Sequence, residues 1–172
     1  MTSQVSLRPF DVAVALRLLL SPEERYEPLA HALATSTSAV HRAVVRLQLA
    51  GFCGRASRTI DGPSLQEFLL HGLRYAFPPI YGPKRRGLPT AAAHPLIAEM
   101  LGAEPGPLLV WPMDDGPCHA VSLTPMFAGM LRVAQQDRRM HELLATVDLL
   151  RVASAEQRAA ASALLGRILT ID

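Results

Sequence analysis

Two short stretches of the chain carry residue types that chemistry can use. The first is Asp114-Asp115-Gly116-Pro117-Cys118-His119, where adjacent carboxylates stand close to a thiol and an imidazole. Such a set offers ligands to a divalent cation. Neighbouring side chains of extended backbone point to opposite faces, however, and no second ligand pair follows at metal spacing. Asp-Asp-Gly between two apolar runs is equally a hairpin-turn signal, and the turn is the reading adopted. His31, His71, His94 and His141 are scattered along the chain. It has no phosphate-cradling glycine loop, no Gly-x-Ser-x-Gly elbow and no His-Glu-x-x-His pair. Cys53 and Cys118 are too few for a disulfide framework or a four-cysteine zinc site, and read as small buried hydrophobes. Trp111 and Tyr75 read as core or interface residues. No enzyme, metal or cofactor is expected.

The second stretch, residues 29–51, is suited to polar recognition. Leu29, Ala30 and Leu33 form the buried side of a short helix, and small Ala30 lets a second helix cross close by. Residues 35–38 are all Ser or Thr, and Ser36 is a good N-cap. The helix that follows puts Val40, Ala43, Val44 and Leu47 on one face. Thr37, Ser38, His41, Arg42, Val45, Arg46 and Gln48 fall largely outside it, and Gly51 ends it. Hydroxyls, an imidazole and guanidinium groups near a helix N-terminus can hydrogen-bond base edges or phosphates.

Charge supports this reading. The net charge of +2 over 172 residues is too small to announce a nucleic-acid partner. It is unevenly spread: −1 over residues 1–27, +6 over 28–92 and −3 over 93–172. No carboxylate occurs between Pro28 and Ile60. Arg55 and Arg58 follow the helix pair, and Lys84, Arg85 and Arg86 form a second basic cluster in a Pro/Gly frame. Both are candidates for phosphate contact.

Residues Leu29, Ala30, Leu33, Ser36, Val40, Arg42, Leu47 and Gly51 together resemble the helix-turn-helix of bacterial winged-helix regulators of the MarR-like kind. Ala34 stands where that pattern has its turn glycine, Ala39 where it has threonine, and Val44 where it has leucine. The resemblance spans residues 7–61. It implies double-stranded DNA as partner, with Ser36, Thr37, Ser38, His41, Arg42 and Arg46 at the groove. It also implies a hairpin wing at 52–61, carrying Arg55 and Arg58. The stretch 71–91 further resembles a signature of short bacterial helix-turn-helix proteins, some encoded beside nucleotidyltransferase-like toxins.

The elements that must position these residues follow from periodicity and breakers. Residues 7–21 predict a helix, capped by Ser6, with Pro9 in its first turn. Residues 64–75 predict another. Nine of the 14 prolines lie in residues 76–117, which excludes long helices there. Wrapped extended chain is expected, with a short helix at 95–101 and a hairpin of strands 108–111 and 119–123. Helices are expected at 127–150, broken or continuous, and at 155–169. Ser154 and Gln157 have capping-box spacing for the last one. The fold is thus expected to be mainly α: an N-terminal helix-turn-helix region (1–75), a Pro-rich wrapping segment with a short β-hairpin (76–125) and C-terminal helices (126–172).

The last region is expected to form a homodimer or partner surface, because Met126, Phe127, Met130, Leu131, Met140, Leu143, Leu144, Val147 and Leu150 supply apolar stock there. Residues 1–9 lack an apolar signal core, and the run 13–20 is interrupted by Arg17. No membrane partner and a cytoplasmic location are expected. The function this predicts is a sequence-specific DNA-binding regulator, a homodimeric repressor. The alternative is an antitoxin-type protein that masks a toxin.

Overall fold

The structure is a computed structural model describing residues 6–22, 24–102 and 107–170. Residues 1–5, part of the stretch read as lacking a signal core, Glu23, residues 103–106 and residues 171–172 lie outside them. The chain is mainly helical with one small sheet. The helices are α1 (Pro9–Leu20), α2 (Tyr26–Ala32), α3 (Thr37–Leu49), α4 (Gly62–Glu67), α5 (Leu73–Ala76), α6 (Pro95–Leu101), α7 (Met130–Gln136), α8 (Arg138–Val152) and α9 (Ala155–Thr170). The strands are β1 (Tyr81–Thr90), β2 (Leu109–Pro112) and β3 (Cys118–Leu123). No helix among the described residues is long and apolar enough to cross a membrane.

The first helix starts at Pro9, not Leu7, and its N-cap is Arg8, not Ser6. The Arg8 N–H donates to Asp11 Oδ2 at 2.8 Å, so the cap is made by a carboxylate three residues ahead. Helix α1 is buried from Asp11 to Leu16 and again at Leu18. It packs against α3 and α8.

Helix α4 continues through a π-helical turn, Phe68–Gly72, into α5. The sequence predicts one uniform helix here. The wide turn forms where Gly72 lacks a side chain: a Cβ there would stand 2.8 Å from Phe68 Cδ2. The Phe68 ring instead packs edge-on against Phe52 and Phe77, with centroids 5.6 and 6.4 Å apart.

The predicted hairpin of 108–111 with 119–123 does not form. Strands β2 and β3 run parallel to each other, with Leu109 opposite Val121 and Val110 opposite Ser122. Both pair antiparallel with β1: β2 along Gly87–Thr90 and β3 along Tyr81–Gly87. The three strands close into a small barrel. Strand β1 contains Pro83 and Pro89, which is why the residue pattern hides it. Pro83 lies where the register shifts between Tyr81 and Lys84. Both prolines offer their carbonyls instead: Ser122 Oγ donates to Pro83 O at 2.7 Å, and a His141 ring nitrogen lies 2.9 Å from Pro89 O. Gly87 faces both Pro112 and Cys118, and Gly116 lies directly against it.

Helix α8 is the central strut. Residues 143–151 are all buried, between α1, α5, α7, α9 and β1. The break before it falls at Asp137, whose Oδ1 accepts from Arg139 N (2.9 Å) and Met140 N (3.1 Å). Its Oδ2 holds Arg17 Nη1 at 2.7 Å. The capping box at Ser154 and Gln157 forms as the spacing predicts.

The apolar stock expected on a dimer surface is spent otherwise. Met130, Met140, Leu143, Leu144, Val147 and Leu150 are buried, and Met126, Phe127 and Leu131 pack against the same core. One apolar cluster runs from α1 to α9.

Inside that core sits a polar network. Asp148, fully buried, accepts from Thr90 Oγ1 (2.9 Å), Trp111 Nε1 (2.6 Å) and Arg151 Nη1 (2.6 Å). Arg151 also donates from Nε to Phe77 O (2.8 Å) and from Nη2 to Pro78 O (2.9 Å). Burial pushes the Asp148 carboxyl up, and its contacts with Arg151, Trp111 and Thr90 oppose that shift.

Beside this network the rings of His94 and His141 meet edge-on at 4.5 Å. His94 is 7% exposed and its Nδ1 has no hydrogen-bond partner among the described residues. Burial, then the neighbouring His141 and Arg138, lower the His94 pKa to about 4. An imidazole with a depressed folded pKa must give up its proton to fold, so the unfolded chain binds more protons between about pH 4 and 6.5. Stability therefore rises with pH across that window and is lost on acidification. The expected loss by pH 4 is about 3 kcal/mol from this group. Urea unfolding of wild type and His94→Phe between pH 7 and 4 checks this. The variant should show a flatter profile, and parallel profiles would refute the role of His94.

Candidate nucleic-acid interface

The helix pair forms where the spacing places it. Leu29, Ala30 and Leu33 are buried on the α2 side, and Val40, Ala43, Val44 and Leu47 on the α3 side. Ser36 caps α3, its Oγ accepting from Ala39 N at 3.3 Å and lying 3.2 Å from Ser38 Oγ. Gly51 ends the unit with φ +85°, a conformation that favours glycine.

The turn between the helices runs through Ala34 with φ +51°. Glycine is the residue this conformation favours, and here a Cβ is held in the left-handed region. Such a residue costs on the order of 1–2 kcal/mol. Ala34→Gly is accordingly expected to raise stability by about 1 kcal/mol, read as a higher urea midpoint with an unchanged slope. A lower midpoint would show that the methyl group makes packing contacts worth more than the strain. The turn is backed by Gly129, the left-handed cap of α7, where an added Cβ would lie 3.7 Å from Ala34 O.

The predicted contact residues separate into two groups. Thr37, Ser38, His41 and Arg42 are exposed on α3. The His41 ring lies 5.6 Å from that of Tyr26. Arg42 makes no ion pair or hydrogen bond among the described residues. Val45 (39% exposed) and Leu49 (60%) extend this outer face toward its C-terminus with apolar surface.

Arg46 is different and corrects the sequence expectation. Its Nε and Nη2 bind Asp11 Oδ2 and Oδ1 at 2.8 and 2.6 Å. Asp11 is fully buried, so this fork ties α3 to α1, and the hydrogen bonds with Asp11 raise the Arg46 pKa. Arg46 is structural here and not free for a groove. The sequence could not show this, because the partner lies 35 positions away on another helix.

Arg58 is likewise engaged. Its Nη1 donates to Glu24 O at 2.7 Å, and its guanidinium sits 4.8 Å from the centre of the Tyr26 ring. Arg55 is exposed. The segment carrying both makes one antiparallel bridge, Cys53 with Ile60, instead of a pair of strands. Gln48 Nε2 pins it by donating to Ser57 O at 3.1 Å. The predicted wing is thus a bridged loop. Its residues 54–59 carry two small turn formers, Gly54 and Ser57, and Ser57 N donates to Gly54 O at 3.0 Å, which leaves no room for a ladder.

The second basic cluster lies on β1. Lys84, Arg85 and Arg86 are exposed, and Arg86 Nη1 donates to Gly116 O at 3.2 Å. Arg85, Arg86 and Asp114 share one cleft. The acidic turn therefore lies beside basic groups. Asp114, Asp115 and His119 are exposed and Cys118 is half-buried. No group of three or more His, Cys, Asp or Glu able to hold a metal occurs among the described residues. Of the scattered histidines, the fold unites His94 and His141, which no sequence signal foretold. Set against known families, characterised proteins and solved structures, the chain finds no match.

Proposed function

We propose that the chain is a sequence-specific DNA-binding regulator, a repressor acting as a homodimer, that reads the major groove with α3. The observation that carries this reading is the exposed N-terminal half of α3. It presents the N-cap Ser36, Thr37, Ser38, His41 and an Arg42 that is unpaired among the described residues, behind a tight turn and on a stretch without carboxylates. Helices of this placement read base edges with their first turns. Lys84 and Arg85 on β1 and Arg55 on the bridged loop are assigned to phosphates.

The test is fluorescence anisotropy on the chain's own upstream DNA and on a scrambled duplex, across a salt series. Upstream DNA is expected to bind about a thousandfold more tightly. Arg42→Ala should cost about 1–3 kcal/mol on that DNA, with no change in thermal midpoint. Lys84→Ala/Arg85→Ala should weaken both duplexes alike and reduce the salt slope by about 1 per lost phosphate contact. Equal, weak binding of both duplexes, unchanged in Arg42→Ala, would sink the proposal. Arg46→Ala is unsuitable as a probe, because it strands Asp11 in the core.

A second reading, an interaction protein of the antitoxin type, draws on a different observation. Tyr75 (78% exposed), Ile80 (63%) and Tyr81 (53%) put large apolar side chains on the surface within one stretch of chain. Aromatic anchors of this kind are common in protein interfaces. Co-purification with the product of the adjacent reading frame, lost in Tyr75→Ser/Tyr81→Ser, would favour it over the first.

A further inference from the structure

We infer that a cleft between α6, α8 and α9 is a binding site for a small amphipathic anion, an organic carboxylate with an apolar tail. The cleft encloses about 380 Å³, within the range of small-molecule sites. Leu96 and Met100 of α6 and Leu164 of α9 give it an apolar floor. Among the described residues, Arg138, Arg139 and Arg167 line it together with one acid, Glu142.

The electrostatics narrow the ligand. Arg138 Nε is paired with Glu142 Oε1 at 3.0 Å, so that carboxylate is already neutralised. Arg167 is exposed, and its nearest polar contact is the Met100 sulfur, 3.9 Å from Nη1. A thioether is a weak acceptor, and at that distance it satisfies little of a guanidinium. The guanidinium is therefore held over apolar surface without an anionic partner among the described residues. A carboxylate would take its fork in bidentate fashion, while an alkyl tail covers Leu96, Met100 and Leu164. Inorganic phosphate would meet the same fork but leave the apolar floor uncovered, so it lacks the part of the binding that an alkyl tail supplies. A cationic amphiphile would meet like charge.

The site owes nothing to the helix pair, and its test needs no DNA. Octanoate, octanol, octylammonium and inorganic phosphate are titrated into the full chain by calorimetry. Octanoate should bind saturably at one site, octanol at least about tenfold more weakly, and the other two without measurable heat. Arg167→Gln should weaken octanoate about tenfold or more while leaving the thermal midpoint unchanged. Arg167→Glu should abolish octanoate binding. Equal binding of octanol and octanoate, no saturable heat from octanoate, or wild-type affinity in Arg167→Gln would each overturn the assignment. None of these outcomes bears on the DNA-binding reading.

Discussion

Asp148→Ala is expected to cost about 3–5 kcal/mol, the penalty for stranding one member of a buried ion pair. The substitution leaves Arg151, itself 4% exposed, with its carbonyl partners Phe77 and Pro78 but without its counter-charge. It also orphans the Trp111 and Thr90 donors. These losses share one acceptor and will not add. Even so, the total is a large part of the 5–15 kcal/mol that holds a typical domain together. Urea unfolding followed by Trp111 fluorescence reads the effect directly, since Trp111 is the chain's one tryptophan. Asp148→Leu/Arg151→Leu should recover much of it, because an apolar pair in place of a buried ion pair is often neutral. Recovery will be incomplete, as the carbonyls of Phe77 and Pro78 lose their donor. A loss under about 1 kcal/mol for Asp148→Ala would show that Arg151 finds another acceptor.

Gly116→Ala should be nearly as damaging, for a steric reason. A Cβ on Gly116 would overlap the backbone of Gly87, and one on Gly87 would overlap the Trp111 carbonyl and stand 2.8 Å from Val110 Cβ. The obstacles include main chain, which cannot turn aside as a side-chain tip can. Overpacking a well-filled site costs about 1–3 kcal/mol, and backbone overlap at the seam of a closed barrel belongs at or beyond the upper end. The control is Gly54→Ala, whose Cβ would sit 3.7 Å from Ser57 Cβ in ordinary contact. Equal urea midpoints for the two variants would mean that the barrel seam can open without cost.

How much of this was legible in the residues depends on distance along the chain. The α2–α3 pair, the Ser36 cap, the Gly51 stop, the bounds of α6 and the capping box at Ser154 and Gln157 are local features, set by propensity and caps within a few positions. They form as the spacing says. Strand β1 is hidden because Pro83 and Pro89 read as breakers, although they use their carbonyls and sit at an irregularity and a barrel end. The pairing of β2 and β3 is hidden because alternation marks a strand without naming its neighbour. Arg46 reads as a surface cation until Asp11 is found beneath it. The exposed α3 residues were legible as a face. Which of their arginines is free depends on tertiary partners, and so was not.

The central position of α8 has a consequence for biosynthesis. Helices α1 to α3 are translated about a hundred residues ahead of the α8 segment that covers α1. At ribosomal speeds of about 5–20 residues per second, that interval is on the order of ten seconds. During it α1 has α3 against it but not α8, and the exposed face of α3 rests on an unfinished core. Competence to engage a partner thus arrives with the completed polypeptide. Products of premature termination before residue 143 lack the strut and would be cleared as unfolded chains.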